Sequence, residues 1–96
     1  MSKRHQIDVE WDEVKNLYNQ RVHDVSFEEA ATVFYDPLEI TLNDTDHSSS
    51  EYRFLIIGES DAGRLIVVSY TERAGKIRLI SARKPTRNER KNYQEN

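Results

Sequence analysis

The spacing of apolar residues changes at Pro37, and that change limits the chain to a fold in which helices and strands are segregated. Upstream, Val14, Leu17, Tyr18 and either Arg21 or Val22 recur at intervals of three and four, the period of one helix face, with Asp12 placed to accept from the free N–H groups at its start. His23-Asp24 breaks that pattern. A second helix opens at Ser26, where Glu29 completes a capping box and Val25 with Ala30 forms a hydrophobic staple. It is expected to carry Phe27, Ala30, Ala31 and Phe34 inward and to stop near Tyr35-Asp36, because a proline disfavours helical conformation at the residue before it. Ahead of both helices, Ile7, Val9 and Trp11 alternate with polar residues, as in a short strand with one buried face.

Beyond Pro37 the period is two. Ile40 and Leu42 predict a strand, residues 43–50 a polar loop, and residues 51–58, 64–71 and 76–83 three further strands, the last pair joined by an Ala74-Gly75 turn. Thr86 with Glu89 repeats the capping logic and starts a short C-terminal helix. The order β-α-α-β-β-β-β-α describes an α+β domain, an antiparallel meander with the two N-terminal helices on one face. At 96 residues this is one domain, 1–96, with residues 1–6 and 94–96 expected to fray.

The turns imply a register. A two-residue turn at Ala74-Gly75 sets Arg73 against Lys76, Tyr70 against Leu79, Val68 against Ser81 and Ile66 against Arg83. A loop of residues 60–63 sets Glu59 against Arg64 and Arg53 against Tyr70. One face then holds Tyr52, Phe54, Ile56, Leu65, Val67, Ile80 and Ala82, and the helices are assigned to it, with Arg78 on the same side. The other becomes a shallow cleft with an apolar floor, with Glu51, Arg53, Tyr70 and Glu72 at one end and Arg83 at the other. A single β-bulge would reassign these faces.

Charge is as uneven as periodicity. Residues 1–61 hold five Lys or Arg against fourteen Asp or Glu, a net of −9, whereas residues 62–96 hold nine against three, a net of +6. Eight cations fall between Arg73 and Lys91, interleaved with apolar residues, so they are expected on ordered structure, as a phosphate-binding or acid-binding surface requires. Tyr70, Arg73, Lys76, Arg78, Lys84 and Arg87 are the expected RNA-binding set. The absence of cysteine removes disulfides and thiol nucleophiles, and no two of the three histidines have a metal-ligand spacing, so neither metal nor other cofactor is expected. The apolar runs are too short to span a bilayer or form a secretory signal, and a cytoplasmic location is the default expectation.

Several phrases together resemble the BrnT family, the toxin half of a bacterial type II toxin–antitoxin pair. They are residues 11–16 around Lys15, 23–37 from His23 to Pro37, 46–48 with 51–53 (Asp46, His47, Ser48, Glu51, Arg53), 63–65, 70–73 and 80–83, continuing through Thr86, Glu89 and Tyr93. Asp24 stands where the family commonly has glycine, and aspartate can hold a left-handed turn only at some cost. The resemblance implies a RelE-like ribonuclease fold, RNA cleavage that arrests translation, and neutralisation by a BrnA-like antitoxin, in a heterotetramer that binds operator DNA through the antitoxin.

Metal-free RNA cleavage needs a base near the ribose 2′-OH, donors around the phosphorane and an acid for the 5′-oxygen. Arg53 and Arg83 are the expected phosphate clamps, since a planar guanidinium meets two phosphate oxygens and stays charged. Glu51 or His47 is the candidate base, and the resemblance assigns Lys15 as acid or charge stabiliser. The alternative is a non-catalytic RNA- or protein-binding module using the same basic surface.

Overall fold

The computed structural model describes residues 7–43 and 52–95. The expected element order is present: β1 (Val9–Glu10), α1 (Glu13–His23), α2 (Phe27–Thr32) running into a 3-10 turn (Val33–Tyr35), β2 (Ile40–Asn43), β3 (Phe54–Glu59), β4 (Leu65–Arg73), β5 (Lys76–Arg83) and α3 (Arg87–Glu95). The strands form one sheet in the order β1-β5-β4-β3-β2, antiparallel except for β1, which runs parallel to β5. The expected fraying of residues 94–96 is not observed at Gln94 and Glu95, which continue α3, and residues 1–6 lie outside the described residues.

The helix ends follow from local chemistry. The Asp12 side chain accepts from Val14 N–H at 2.8 Å, and Ser26 Oγ accepts from Glu29 N–H at 3.0 Å. Asp24 closes α1 in the left-handed region at φ 61°, its N–H donating to the Gln20 carbonyl at 3.0 Å, so aspartate does occupy the turn that favours glycine. Asp36 ends the 3-10 turn in extended conformation before Pro37, as the proline demands. The second capping box is reciprocal: Thr86 N–H donates to Glu89 Oε1 and Glu89 N–H donates to Thr86 Oγ1. The first is only half formed, because the Glu29 carboxylate turns to the Arg64 guanidinium at 2.7 and 3.0 Å and accepts from Ser60 Oγ at 2.7 Å.

Val25, Phe27, Ala30, Val33 and Phe34 pack on Ile56, Ile66, Val68, Tyr70, Leu79 and Ala82 to form the core. Gly58 belongs in that packing, since a Cβ there would stand 2.8 Å from Val33 Cγ1. The helix α1 departs from expectation. Its buried residues are Asn16 and Asn19, while Val14, Leu17, Tyr18 and Val22 are 50–75% exposed. Asn19 Nδ2 donates to the carbonyls of Val25 (2.9 Å) and Ala82 (2.8 Å), and its Oδ1 accepts from Ala82 N–H (3.1 Å). Asn16 Oδ1 accepts from Phe27 N–H at 2.8 Å. Buried polar groups need such partners, so hydrogen bonds to backbone hold α1 where an apolar stripe was expected to do so.

The register also departs, twice. The loop between β3 and β4 is one residue longer than expected, with Glu59 against Leu65 and Phe54 against Tyr70. One residue of slip reverses the faces of β3 relative to β4. Between β4 and β5 the Ala74-Gly75 turn sets Arg73 against Lys76 and Tyr70 against Leu79 as predicted, but a bulge then makes Ile80 the extra residue, pairing Ser69 with Ser81 and Val67 with Arg83. Among the described residues, no helix is long and apolar enough to cross a membrane.

Candidate functional site

The two register changes decide what lies on the sheet face away from the core. Along β4, Ile66, Val68 and Tyr70 face the helices, so Val67, Ser69, Thr71 and Arg73 face the other way. Their partners on β5 are Arg83, Ser81, Arg78 and Lys76. Arg78 and Arg83 are five residues apart, an odd number that would put them on opposite faces of a regular strand. The bulge at Ile80 restores both to one face, correcting the expectation that Arg78 points toward the helices.

Across this face Glu10, Arg78 and Thr71 form a row, with Glu10 against Arg78 in the parallel pair and Arg78 against Thr71 in the antiparallel one. Arg78 Nη1 donates to Glu10 Oε2 at 3.1 Å. Thr71, only 5% exposed, donates its hydroxyl to the Tyr52 carbonyl at 2.7 Å and so holds the segment entering β3 beside β4. Arg53 follows Tyr52 directly and stands just ahead of β3. Among the described residues its Nε is buried and has no hydrogen-bond partner. The paired Ser69 and Ser81 form the adjacent row.

Arg83 marks the other end of the face, four β4 residues from Thr71, or about 13 Å at strand rise. It is already engaged: Nη1 and Nη2 donate to the two carboxylate oxygens of Glu89 at 2.8 and 2.9 Å. The Arg83 hydrogen bond, opposed by burial and helped by Thr86, holds the Glu89 carboxyl down at about 2. The helix α3 is tied down at its far end by Tyr93 Oη, which donates to Asp36 Oδ2 at 2.6 Å. Burial and the Asp36 carboxylate together push the Tyr93 hydroxyl up to about 12.

Of the residues expected to act, the structure thus places Arg78 and Arg83 on one face, with Arg73 and Lys76 continuing it to the hairpin tip and Arg53 just ahead of β3. Lys84 and Arg87 are exposed just beyond β5, at the approach to α3. Tyr70 is not among them. It is 6% exposed in the core, stacked on Phe54 with centroids 5.4 Å apart and edge-on to Phe34 at 5.0 Å, because the register slip turns it inward. Lys15 is exposed on α1, outside the sheet that carries these arginines. His47 and Glu51 lie outside the described residues. Sequence reasoning overlooked Ser69, Thr71 and Ser81, whose signal is a hydroxyl at alternate positions of strands otherwise rich in Val and Ile.

A profile of the family described as ribonuclease toxin, BrnT, of type II toxin–antitoxin system matches residues 11–89. Among solved structures, the chain is similar to the Brucella abortus ribonuclease toxin, BrnT, known from a 1.1 Å crystal structure, with a TM-score of 0.64 and 19% identity over 85% of this chain and 100% of that one. At that identity the likeness shows the fold alone. No curated protein sequence matches the chain.

Proposed function

The chain belongs to the BrnT family of ribonuclease toxins of type II toxin–antitoxin systems, and from that premise we propose that its arginine-bearing sheet face grips the RNA backbone and cleaves it without a metal. The observation that carries this reading is Arg78 and Arg83 brought to one face by the bulge, with Arg53 just ahead of β3 and its Nε–H without a hydrogen-bond partner among the described residues. The planar fork of the Arg53 guanidinium offers paired donors to phosphate oxygens as charge builds on the phosphorane. Arg78 and Arg83 are offset by Glu10 and Glu89, so each meets phosphate by sharing its cation with a carboxylate already in place. Arg53 is therefore the principal clamp and the other two flank it.

In this proposal Glu51 or His47, just ahead of Arg53 in the chain, takes the proton of the 2′-OH. Lys15 is the proposed acid or charge stabiliser by family resemblance. Arg73, Lys76, Lys84 and Arg87 contact neighbouring phosphates, and the buried Tyr70 has no part. A BrnA-like antitoxin neutralises the toxin in the cytoplasm, in a heterotetramer that binds operator DNA through the antitoxin.

Single-stranded RNA incubated with the purified protein in excess chelator is expected to be cut, leaving a 2′,3′-cyclic phosphate. Loss of cutting on chelation overturns the metal-free scheme. Arg53→Ala should lower the cleavage rate at least ~100-fold, the scale of removing one transition-state donor, with the melting temperature within about 3 °C of wild type. A variant that cuts RNA at the wild-type rate removes Arg53 from the mechanism.

A further inference from the structure

The helix α1 is inverted: its polar side is buried and its apolar side faces solvent. At 100° per residue, Leu17, Val14, Tyr18 and Val22 fall on one continuous arc, opposite Asn16, Asn19 and His23. Val14 is 75% exposed, Leu17 59%, Tyr18 62% and Val22 50%. A helix of 11 residues gains little from such a stripe in water, and the two asparagines already attach α1 to α2 and to the free edge of β5. Contiguous apolar surface of this kind marks a binding site.

We infer that the Val14–Leu17–Tyr18–Val22 stripe of α1 is the surface on which the protein antitoxin docks, through an amphipathic helix with carboxylates along its rim. The family supplies the existence of that partner; the stripe supplies its chemistry. Residues 14–22 carry two cations, Lys15 and Arg21, and no carboxylate, while Glu13 in the first turn of α1 is engaged as acceptor from Trp11 Nε1 and Asn16 Nδ2. Arg21 lies within the apolar arc and Lys15 on its border. Two copies of this chain packed stripe to stripe would therefore oppose like charges, whereas an acidic amphipathic helix fills the apolar arc and pairs with both cations. Such a helix reads the stripe at spacings of three and four. The stripe faces away from the buried asparagines and does not include the sheet arginines, so docking there holds whether or not the arginine mechanism is correct; Lys15 on its border is the one residue it shares with the cleavage proposal.

The test uses the full chain co-expressed with the polypeptide encoded by the adjacent reading frame of its operon. In the wild-type complex, amide hydrogen exchange is expected to slow at 13–23. Leu17→Asp with Tyr18→Asp, both at exposed positions, should weaken the complex at least ~30-fold, as removal of central interface anchors does. Arg21→Glu should weaken it through charge alone and guards against a folding defect in the double variant. Leu38→Asp, 69% exposed and remote from α1, should bind like wild type. Arg53→Ala should also bind normally, which separates this surface from the cleavage site. Wild-type affinity in both α1 variants, protection confined to other segments, or failure of the wild-type chain to bind overturns the inference. So does a homodimer of the isolated chain that the α1 substitutions dissolve, since the stripe would then belong to a second copy.

Discussion

Ala74 stands at φ 54°, where its β-carbon crowds the following carbonyl, beside Gly75 at φ 80°, where nothing does. Both angles are required by a two-residue hairpin whose twist matches its strands, so the turn was legible although its first residue is a poor occupant. Ala74→Gly relieves about 1–2 kcal/mol of strain and costs less than about 1 kcal/mol in unfolded-chain entropy, so it should stabilise the protein by roughly 0.5–1 kcal/mol in urea denaturation. Asn19 shows the opposite case, a residue whose role cannot be inferred from its neighbours in sequence. Its amide replaces a missing strand at Ala82, bonding both backbone groups of a residue 63 positions away. Asn19→Ala leaves the Ala82 N–H and the carbonyls of Ala82 and Val25 without partners, and is expected to cost about 3 kcal/mol by the same denaturation. A loss under about 1 kcal/mol would mean that water replaces the amide.

At the scale of elements, the caps were readable and their carboxylates were not. Ser26 and Thr86 cap the helices expected of them, yet Glu29 leaves its own helix for Arg64 while Glu89 serves both its helix and Arg83. Only the approach of β4 and β5 supplies those arginines. The helix α3 is consequently anchored by charge, and its stability depends on pH with a definite sign. Glu89 has its carboxyl held at about 2 against an ordinary 4.5, so its contribution is full above about 4.5 and is lost as pH falls toward 2. The melting temperature of Glu89→Gln should lie below wild type at neutral pH, and the gap should close as pH falls from 4.5 toward 2. A gap constant from pH 7 to 3 would place the effect of the substitution in packing and not in charge. The apolar pattern of α1 misled for a related reason. Periodicity identifies the apolar side of a helix, but which side turns inward is decided by what the interior offers, here unpaired backbone groups near Ala82 and Phe27.

Across the whole molecule, a chain of net charge −3 presents a sheet face with Arg78 and Arg83 on β5, Arg53 just ahead of β3 and further cations beyond them. If RNA is held by Arg53, Arg78 and Arg83, about three phosphates are neutralised, so log affinity should fall with log salt at a slope of about −2, and Arg53→Ala should flatten it by roughly 0.7. A slope near zero, read by filter binding between 50 and 200 mM salt, would remove the backbone grip. What the sequence determined alone is everything set by neighbours along the chain: the change of period at Pro37, the helix starts, the hairpin at Ala74-Gly75 and the concentration of cations after residue 61. What tertiary structure decided is which residues look the same way. Side chains alternate at every step of a strand, so one extra residue in the loop after Glu59 turned Tyr70 into the core, and one at Ile80 brought Arg78 round to join Arg83. Neither insertion leaves a mark in local sequence, because its cost and benefit are settled by packing between strands that are distant in the chain.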